Sequence, residues 1–81
     1  MKLPRDLSGK RLAKLLREHG YEITRQTGSH LRLSSSSAGP THHVTVPAHR
    51  SIAVGTLARI VTDVAQYLGR DREELARGLF G

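Results

Sequence analysis

Residues 21–33 read Tyr21-Glu22-Ile23-Thr24-Arg25-Gln26-Thr27-Gly28-Ser29-His30-Leu31-Arg32-Leu33, and this stretch decides the fold. Residues 21–26 alternate, with Tyr21 and Ile23 on one side and Glu22, Thr24 and Gln26 on the other, the period of a strand. Thr27-Gly28 supplies a tight turn, because glycine accepts the positive φ that hairpin turns demand. Residues 29–33 return as a second strand, Leu31 and Leu33 pointing inward and His30 and Arg32 outward. Residues 34–41 (Ser-Ser-Ser-Ser-Ala-Gly-Pro-Thr) form a flexible hairpin loop with nothing to bury. Residues 42–47 alternate again: Val44 and Val46 inward, His43 and Thr45 outward, with Pro47 ending the strand.

Helical spacing flanks these strands. Ser8 is placed to cap the free N–H groups of a first helix, and Leu7 to pack on Leu12 as a hydrophobic staple. Leu12, Leu15 and Leu16 make its apolar stripe, and Gly20 ends it in a left-handed turn. Lys10, Lys14 and Arg17 line its wet face as a cationic ridge. A second helix runs over residues 54–68 on Leu57, Ile60, Val61, Val64 and Leu68, backed by Ala58 and Ala65. Arg59 and Asp63 are spaced as an i, i+4 pair on its outer side, and Gly69 closes it. Asp71-Arg72-Glu73-Glu74 resembles a capping box for a short last helix that buries Leu75, Leu79 and Phe80. The order is helix, three strands, helix, short helix. It implies an α+β architecture: a three-stranded antiparallel sheet, helices on its apolar face, and His30, Arg32, His43 and Thr45 on the open one.

With 81 residues and no cysteine, a single domain over 1–81 with one modest core is expected. Disulfides and thiolate metal sites are excluded, and a reducing cytoplasm fits. No apolar run approaches the roughly 20 residues of a membrane span, and the N-terminus lacks the apolar stretch of a secretory signal. The net charge of +6 is uneven. Residues 1–50 carry nine Lys/Arg against three acids, whereas residues 51–81 carry four of each sign. All five histidines also lie in the first part. A polyanion would therefore meet the N-terminal two-thirds.

His30 has the strongest claim to chemistry. Its unperturbed pKa of about 6.5 lets an imidazole exchange protons near neutrality. RNA carries its own nucleophile, the ribose 2′-hydroxyl, which a base can activate against the adjacent phosphorus. A neighbouring cation such as Arg32 would stabilise charge on the phosphoryl oxygens. The plainer reading of His30 is an exposed strand histidine that meets solvent or a phosphate. His19, on the apolar side of the first helix, reads as a packed or helix-capping residue. His42 and His43 are strand neighbours and face opposite ways, so they cannot serve one site side by side. His49, in the loop after Pro47, is a second proton-transfer candidate or a hinge contact. No HExxH, GxSxG or phosphate-binding glycine loop occurs, and no metal site is expected.

Several segments, in order, resemble the HicA (YcfA-like) family, small toxins of bacterial toxin–antitoxin modules. They are Leu7-Ser8-Gly9-Lys10, Gly20-Tyr21, Arg25-Gln26-Thr27-Gly28-Ser29-His30, Val44-Thr45-Val46-Pro47-Ala48-His49 and Gly55-Thr56-Leu57-Ala58-Arg59-Ile60. The resemblance implies a fold like a double-stranded-RNA-binding domain. It implies an mRNA interferase, an endoribonuclease whose single catalytic histidine is the one in Gly-Ser-His, here His30. It also implies no cofactor and a HicB-type antitoxin partner that covers the active site. Two features depart from the family's pattern: Leu31 follows Gly-Ser-His, and the serine run 34–37 lengthens a hairpin.

The leading expectation is thus an RNA-cleaving toxin with His30 as the catalytic residue and His49 in reserve. Lys10, Lys14, Arg17, Arg25, Ser29 and Arg32 are the RNA-binding candidates, mRNA and the antitoxin the partners, and the free protein a monomer. A noncatalytic RNA-binding module of the same fold would need only the cations. A protein-interaction adaptor with an acidic partner is the third reading; an RNA affinity falling steeply with salt would argue against it.

Overall fold

Residues 1–81 are all described by a computed structural model. The Ser8 hydroxyl accepts from the Arg11 N–H at 3.1 Å and opens α1 (Gly9–Arg17). Leu7, Leu12 and Leu16 enter the core as the staple and stripe require, while Leu15 is only partly buried. The chain leaves α1 through Gly20 at φ 93°, with the Tyr21 N–H bonded back to the Leu16 carbonyl at 3.2 Å. Three strands follow: β1 (Glu22–Thr27), β2 (His30–Ser35) and β3 (His42–Pro47), an antiparallel sheet in the order β1-β2-β3. Then come α2 (Val54–Leu68), ending at a left-handed Gly69, and α3 (Arg72–Phe80), capped by Asp71 accepting from the Glu74 N–H at 3.2 Å.

This is the expected α+β layout. Leu31, Leu33, Val44 and Val46 face the helices, and Leu12, Leu16, Tyr21, Ile52, Leu57, Val61, Val64 and Leu75 complete a continuous core. Each such buried aliphatic side chain contributes roughly 1.5–3 kcal/mol. α1 reaches from the end of β3, where Gly9 N–H bonds the His49 carbonyl at 3.0 Å, to the start of β1 beyond Gly20. α2 packs beside β3, and α3 packs on α2.

The structure corrects four details of the sequence reading. Ile23 is 44% exposed instead of facing inward, because β1 is an edge strand whose residues are all exposed. The pairing of β1 with β2 shifts between Ile23 and Arg25, a β-bulge at Thr24 that turns Gln26 away from the side of Glu22. The loop is shorter than anticipated: Ser34 and Ser35 belong to β2, and Ser35 is buried. Tyr67 orders the remainder, its hydroxyl lying 3.1 Å from the Ser35 carbonyl and accepting from the Ala38 N–H at 3.2 Å. Finally, Leu68 and Phe80 are only partly buried, and Ala76 takes the place expected of Phe80 in the α3 core.

Candidate functional site

The two-residue loop Gly28-Ser29 joins β1 to β2, with Thr27 paired to His30. Positive φ falls on Gly28 alone, at 54°, the pattern of a type II′ hairpin turn. His30 is therefore the first residue of β2, exposed, on the face away from the helices. Directly opposed residues of antiparallel strands share a face, so the register reads out the outer surface row by row. The first row is Thr27–His30–Pro47, the second Arg25–Arg32–Thr45, and the third Glu22–Ser34–His43.

The bulge makes the second row possible. Uninterrupted alternation from Tyr21 would put Arg25 on the core side. One extra residue at Thr24 reverses the parity, so Arg25 stands opposite Arg32 on the open face. Neither guanidinium has an acidic partner, since the ion pairs of the molecule are Met1–Glu73 and His42–Asp63. Two like charges directly across a strand pair are destabilising by a few tenths of a kcal/mol to about 1 kcal/mol. Such a pair is suited to an external anion.

Three chain segments meet at the His30 end. The Ala48 N–H donates to the Ser29 carbonyl at 2.6 Å, and the Gly9 N–H donates to the His49 carbonyl at 3.0 Å. Gly9 packs so closely on Pro47 and Ala48 that a Cβ there would lie 1.9 Å from the Pro47 oxygen. Ser29 thus contributes its backbone to the junction, and His49 and Lys10 are drawn to the same end of the sheet as His30. Lys14 and Arg17 are not. α1 rises 1.5 Å per residue, which carries Arg17 about 10 Å from Lys10. Arg17 lines a depression with Glu22, Ser36 and Thr41 at the opposite end. The ridge also sits on the helical layer, whereas Arg25, Arg32 and His30 occupy the sheet's other side. The candidate cations therefore form two groups.

The five histidine rings divide the same way. His19 Nδ1 donates to the Leu15 carbonyl at 3.2 Å, capping α1 as anticipated. His43 Nδ1 lies 2.6 Å from Ser34 Oγ on the outer face. His42 points inward, opposite to His43, and is held by three partners. Tyr21 Oη lies 2.7 Å from its Nδ1, its Nε2 lies 3.2 Å from Asp63 Oδ1, and its ring stacks on Tyr67 at 4.7 Å. The rings of His30 and His49 have no protein hydrogen-bond partner, which leaves them available to a ligand.

Sequence reasoning did not foresee the Tyr21–His42–Asp63–Tyr67 cluster. Asp63 turns to His42, so the expected Arg59–Asp63 pair does not form. Burial, with added repulsion from Asp63 and Tyr67, pushes the Tyr21 phenol up to about 12. The phenol remains neutral at all ordinary pH values, hydrogen-bonded to His42. The only earlier signal was the inward alternation of Tyr21; nothing in the spacing marked Tyr67 as its neighbour.

No curated protein and no solved structure matches the chain. No helix is long and apolar enough to cross a membrane. A family model described as the HicA toxin of bacterial toxin–antitoxin systems matches residues 9–66. That span runs from the first residue of α1 into the last turn of α2, and takes in the Gly28-Ser29-His30 turn, the arginine pair and the junction at Pro47–His49. On that match over more than two thirds of its length, the chain belongs to the HicA family of toxins.

Proposed function

We propose that the protein is an endoribonuclease toxin, an mRNA interferase, with His30 as its catalytic residue. The observation that carries this reading is the outer-face row that sets Arg25 against Arg32, one row from an exposed, unpartnered His30. An RNA strand laid on this face places a phosphodiester over the two guanidinium groups and the neighbouring ribose beside the imidazole. His30 takes the proton of the ribose 2′-hydroxyl, and the oxygen attacks the adjacent phosphorus. Arg25 and Arg32 stabilise the added charge on the nonbridging oxygens. The bond from phosphorus to the 5′ oxygen then breaks, and that oxygen collects a proton. The products are a 2′,3′-cyclic phosphate and a free 5′-hydroxyl. Lys10 and His49, drawn to the same end by the Gly9 and Ser29 contacts, supply further charge and a candidate proton donor for the leaving oxygen. Lys14 and Arg17 serve as a separate electrostatic surface. A cognate HicB-type antitoxin would silence the enzyme by covering the outer face.

The test is purified protein against mRNA, with the new ends analysed chemically. Wild type yields cyclic phosphate ends, and a substrate with 2′-deoxyribose at the cleaved position is resistant. His30→Ala should lose at least 10²-fold in rate while keeping its melting temperature. A well-folded His30→Ala protein that cleaves at the wild-type rate refutes the assignment. RNA that is bound but left intact by wild type assigns the fold to binding alone.

A further inference from the structure

The third row of the outer face, Glu22–Ser34–His43, lies beyond the arginine pair and takes no part in the proposed step. His43 is not free to swing there. Its Nδ1 is 2.6 Å from Ser34 Oγ, Ser34 Oγ is 3.0 Å from Thr24 Oγ1, and Thr24 Oγ1 donates to the Arg32 carbonyl at 3.3 Å. One direction satisfies all three bonds: Nδ1–H to Ser34, Ser34 to Thr24, Thr24 to the backbone oxygen. Nδ1 is then a donor within the protein, and Nε2 is the ring's outward group. The outward Nε2 is the atom that a phosphate oxygen would meet.

Position excludes His43 as the partner of His30 on one phosphorus. Ser34 is four residues from His30, about 13 Å along the strand, and His43 is one strand further across. That separation exceeds the step between neighbouring phosphates of one chain. His43 also stands at the free edge of β3, where it borders an open groove of about 640 Å³ between β3 and α2. Arg59 lines the same groove and has no ion-pair partner; Asp63 lines it too, but is engaged by His42. Glu22, the acid of this row, is two strands away on the opposite edge, about 10 Å distant. Glu22 closes the β1 side, and at the β3 side Arg59 is the unpaired charge, the Asp63 carboxylate that also lines the groove being held by His42.

We infer that the RNA backbone beyond the cleaved bond turns over the β3 edge, with His43, braced by Ser34 and Thr24, holding one phosphate and Arg59 in the groove holding the next. The proposal rests on the ribonuclease reading for its direction of travel. It assigns a phosphate-binding subsite for single-stranded RNA to residues outside the reaction itself.

Two measurements separate this inference from that reading. The first uses a fluorescent 2′-O-methyl hexanucleotide, which cannot be cleaved, titrated by anisotropy into wild type, His43→Gln, Arg59→Gln and Ser34→Ala. His43→Gln and Arg59→Gln should each weaken binding about tenfold and Ser34→Ala about threefold, with unchanged melting temperatures. The second compares cleavage of a hexanucleotide with that of a dinucleotide carrying a single phosphate. His43→Gln should raise KM for the hexanucleotide about tenfold, leave kcat within twofold, and leave the dinucleotide unaffected. Equal losses on both substrates, or no loss of hexanucleotide affinity, overturn the subsite. A wild-type protein that binds the hexanucleotide through His43 and Arg59 but cleaves nothing refutes the ribonuclease reading and leaves the binding path standing.

Discussion

Gly9→Ala should be far more damaging than a glycine-to-alanine change in a helix normally is. A Cβ on residue 9 lies 1.9 Å from the Pro47 carbonyl oxygen, 2.8 Å from the Pro47 carbonyl carbon and 2.9 Å from Ala48 Cα. All three are backbone atoms, so no rotamer change relieves the overlap. Restoring ordinary contact requires α1 to retreat from β3 by roughly 1.5 Å. That retreat breaks the 3.0 Å bond from the Gly9 N–H to the His49 carbonyl, a loss of about 1 kcal/mol. Loosened packing under Leu12 and Ala13, both fully buried, adds roughly 1–3 kcal/mol. Alanine's better helix propensity offsets at most about 1 kcal/mol. The net expectation is a destabilisation of about 1–4 kcal/mol, equivalent to a drop in Tm of roughly 5–30 °C for a domain of this size. Thermal and urea melts followed by far-UV circular dichroism measure it. Gly55→Ala in α2 is the control, since an added Cβ there meets nothing within 4 Å; it should match wild type or gain up to about 1 kcal/mol. If Gly9→Ala melts at or above wild type, the close approach of α1 to Pro47–Ala48 is not what joins the two layers.

Two further outcomes follow from the side-chain geometry. Because the folded state raises the Tyr21 phenol from about 10 to about 12, its contribution is complete below pH 10 and disappears as pH rises through 12. After a discount for the half-exposed Asp63 beside it, the loss is about 1–2 kcal/mol. Tyr21→Phe should be about 1–2 kcal/mol less stable at pH 7, from the orphaned His42 nitrogen, and should lack this part of the alkaline decline. Parallel stability curves for the two proteins between pH 10 and 12 would contradict the assignment. At the arginine pair, Arg25→Ala should leave stability within about 0.5 kcal/mol of wild type, because a like-charge repulsion goes with it. The same change should make the salt dependence of single-stranded RNA affinity shallower by about 0.7 in log–log slope, the signature of one lost phosphate contact. An unchanged slope removes Arg25 from the interface.

Much of the fold was legible because local chemistry and burial agree. α2 occupies residues 54–68 and β3 residues 42–47 as the periodicity predicts; Ser8 and Asp71 cap helices with their side chains, and Gly20 and Gly69 end them at positive φ. The failures have a common cause in relations that no single segment contains. Alternation says which residues share a face only while the count is unbroken, and nothing about Thr24 itself announces a bulge. Ile52 is fully buried from a loop that has no period to read. Asp63 chose between Arg59, one turn away on its own helix, and His42, 21 residues distant, and the sheet decided the outcome. The site divides similarly. His30 and Arg32 could be placed by parity, whereas the separation of Lys14 and Arg17 from them depends on how the layers stack.

The junction of residues 9, 29, 48 and 49 has a consequence for timing. A chain under synthesis makes α1 first, yet α1 cannot complete its docking until Pro47 through His49 have been added some forty residues later. The end of the molecule that carries His30 is therefore assembled late and all at once. Its closing contact is made by the first residue of a nine-residue helix. A chain that stops short of residue 49 cannot form these contacts, and the end of the sheet that carries His30 is left without its closing layer.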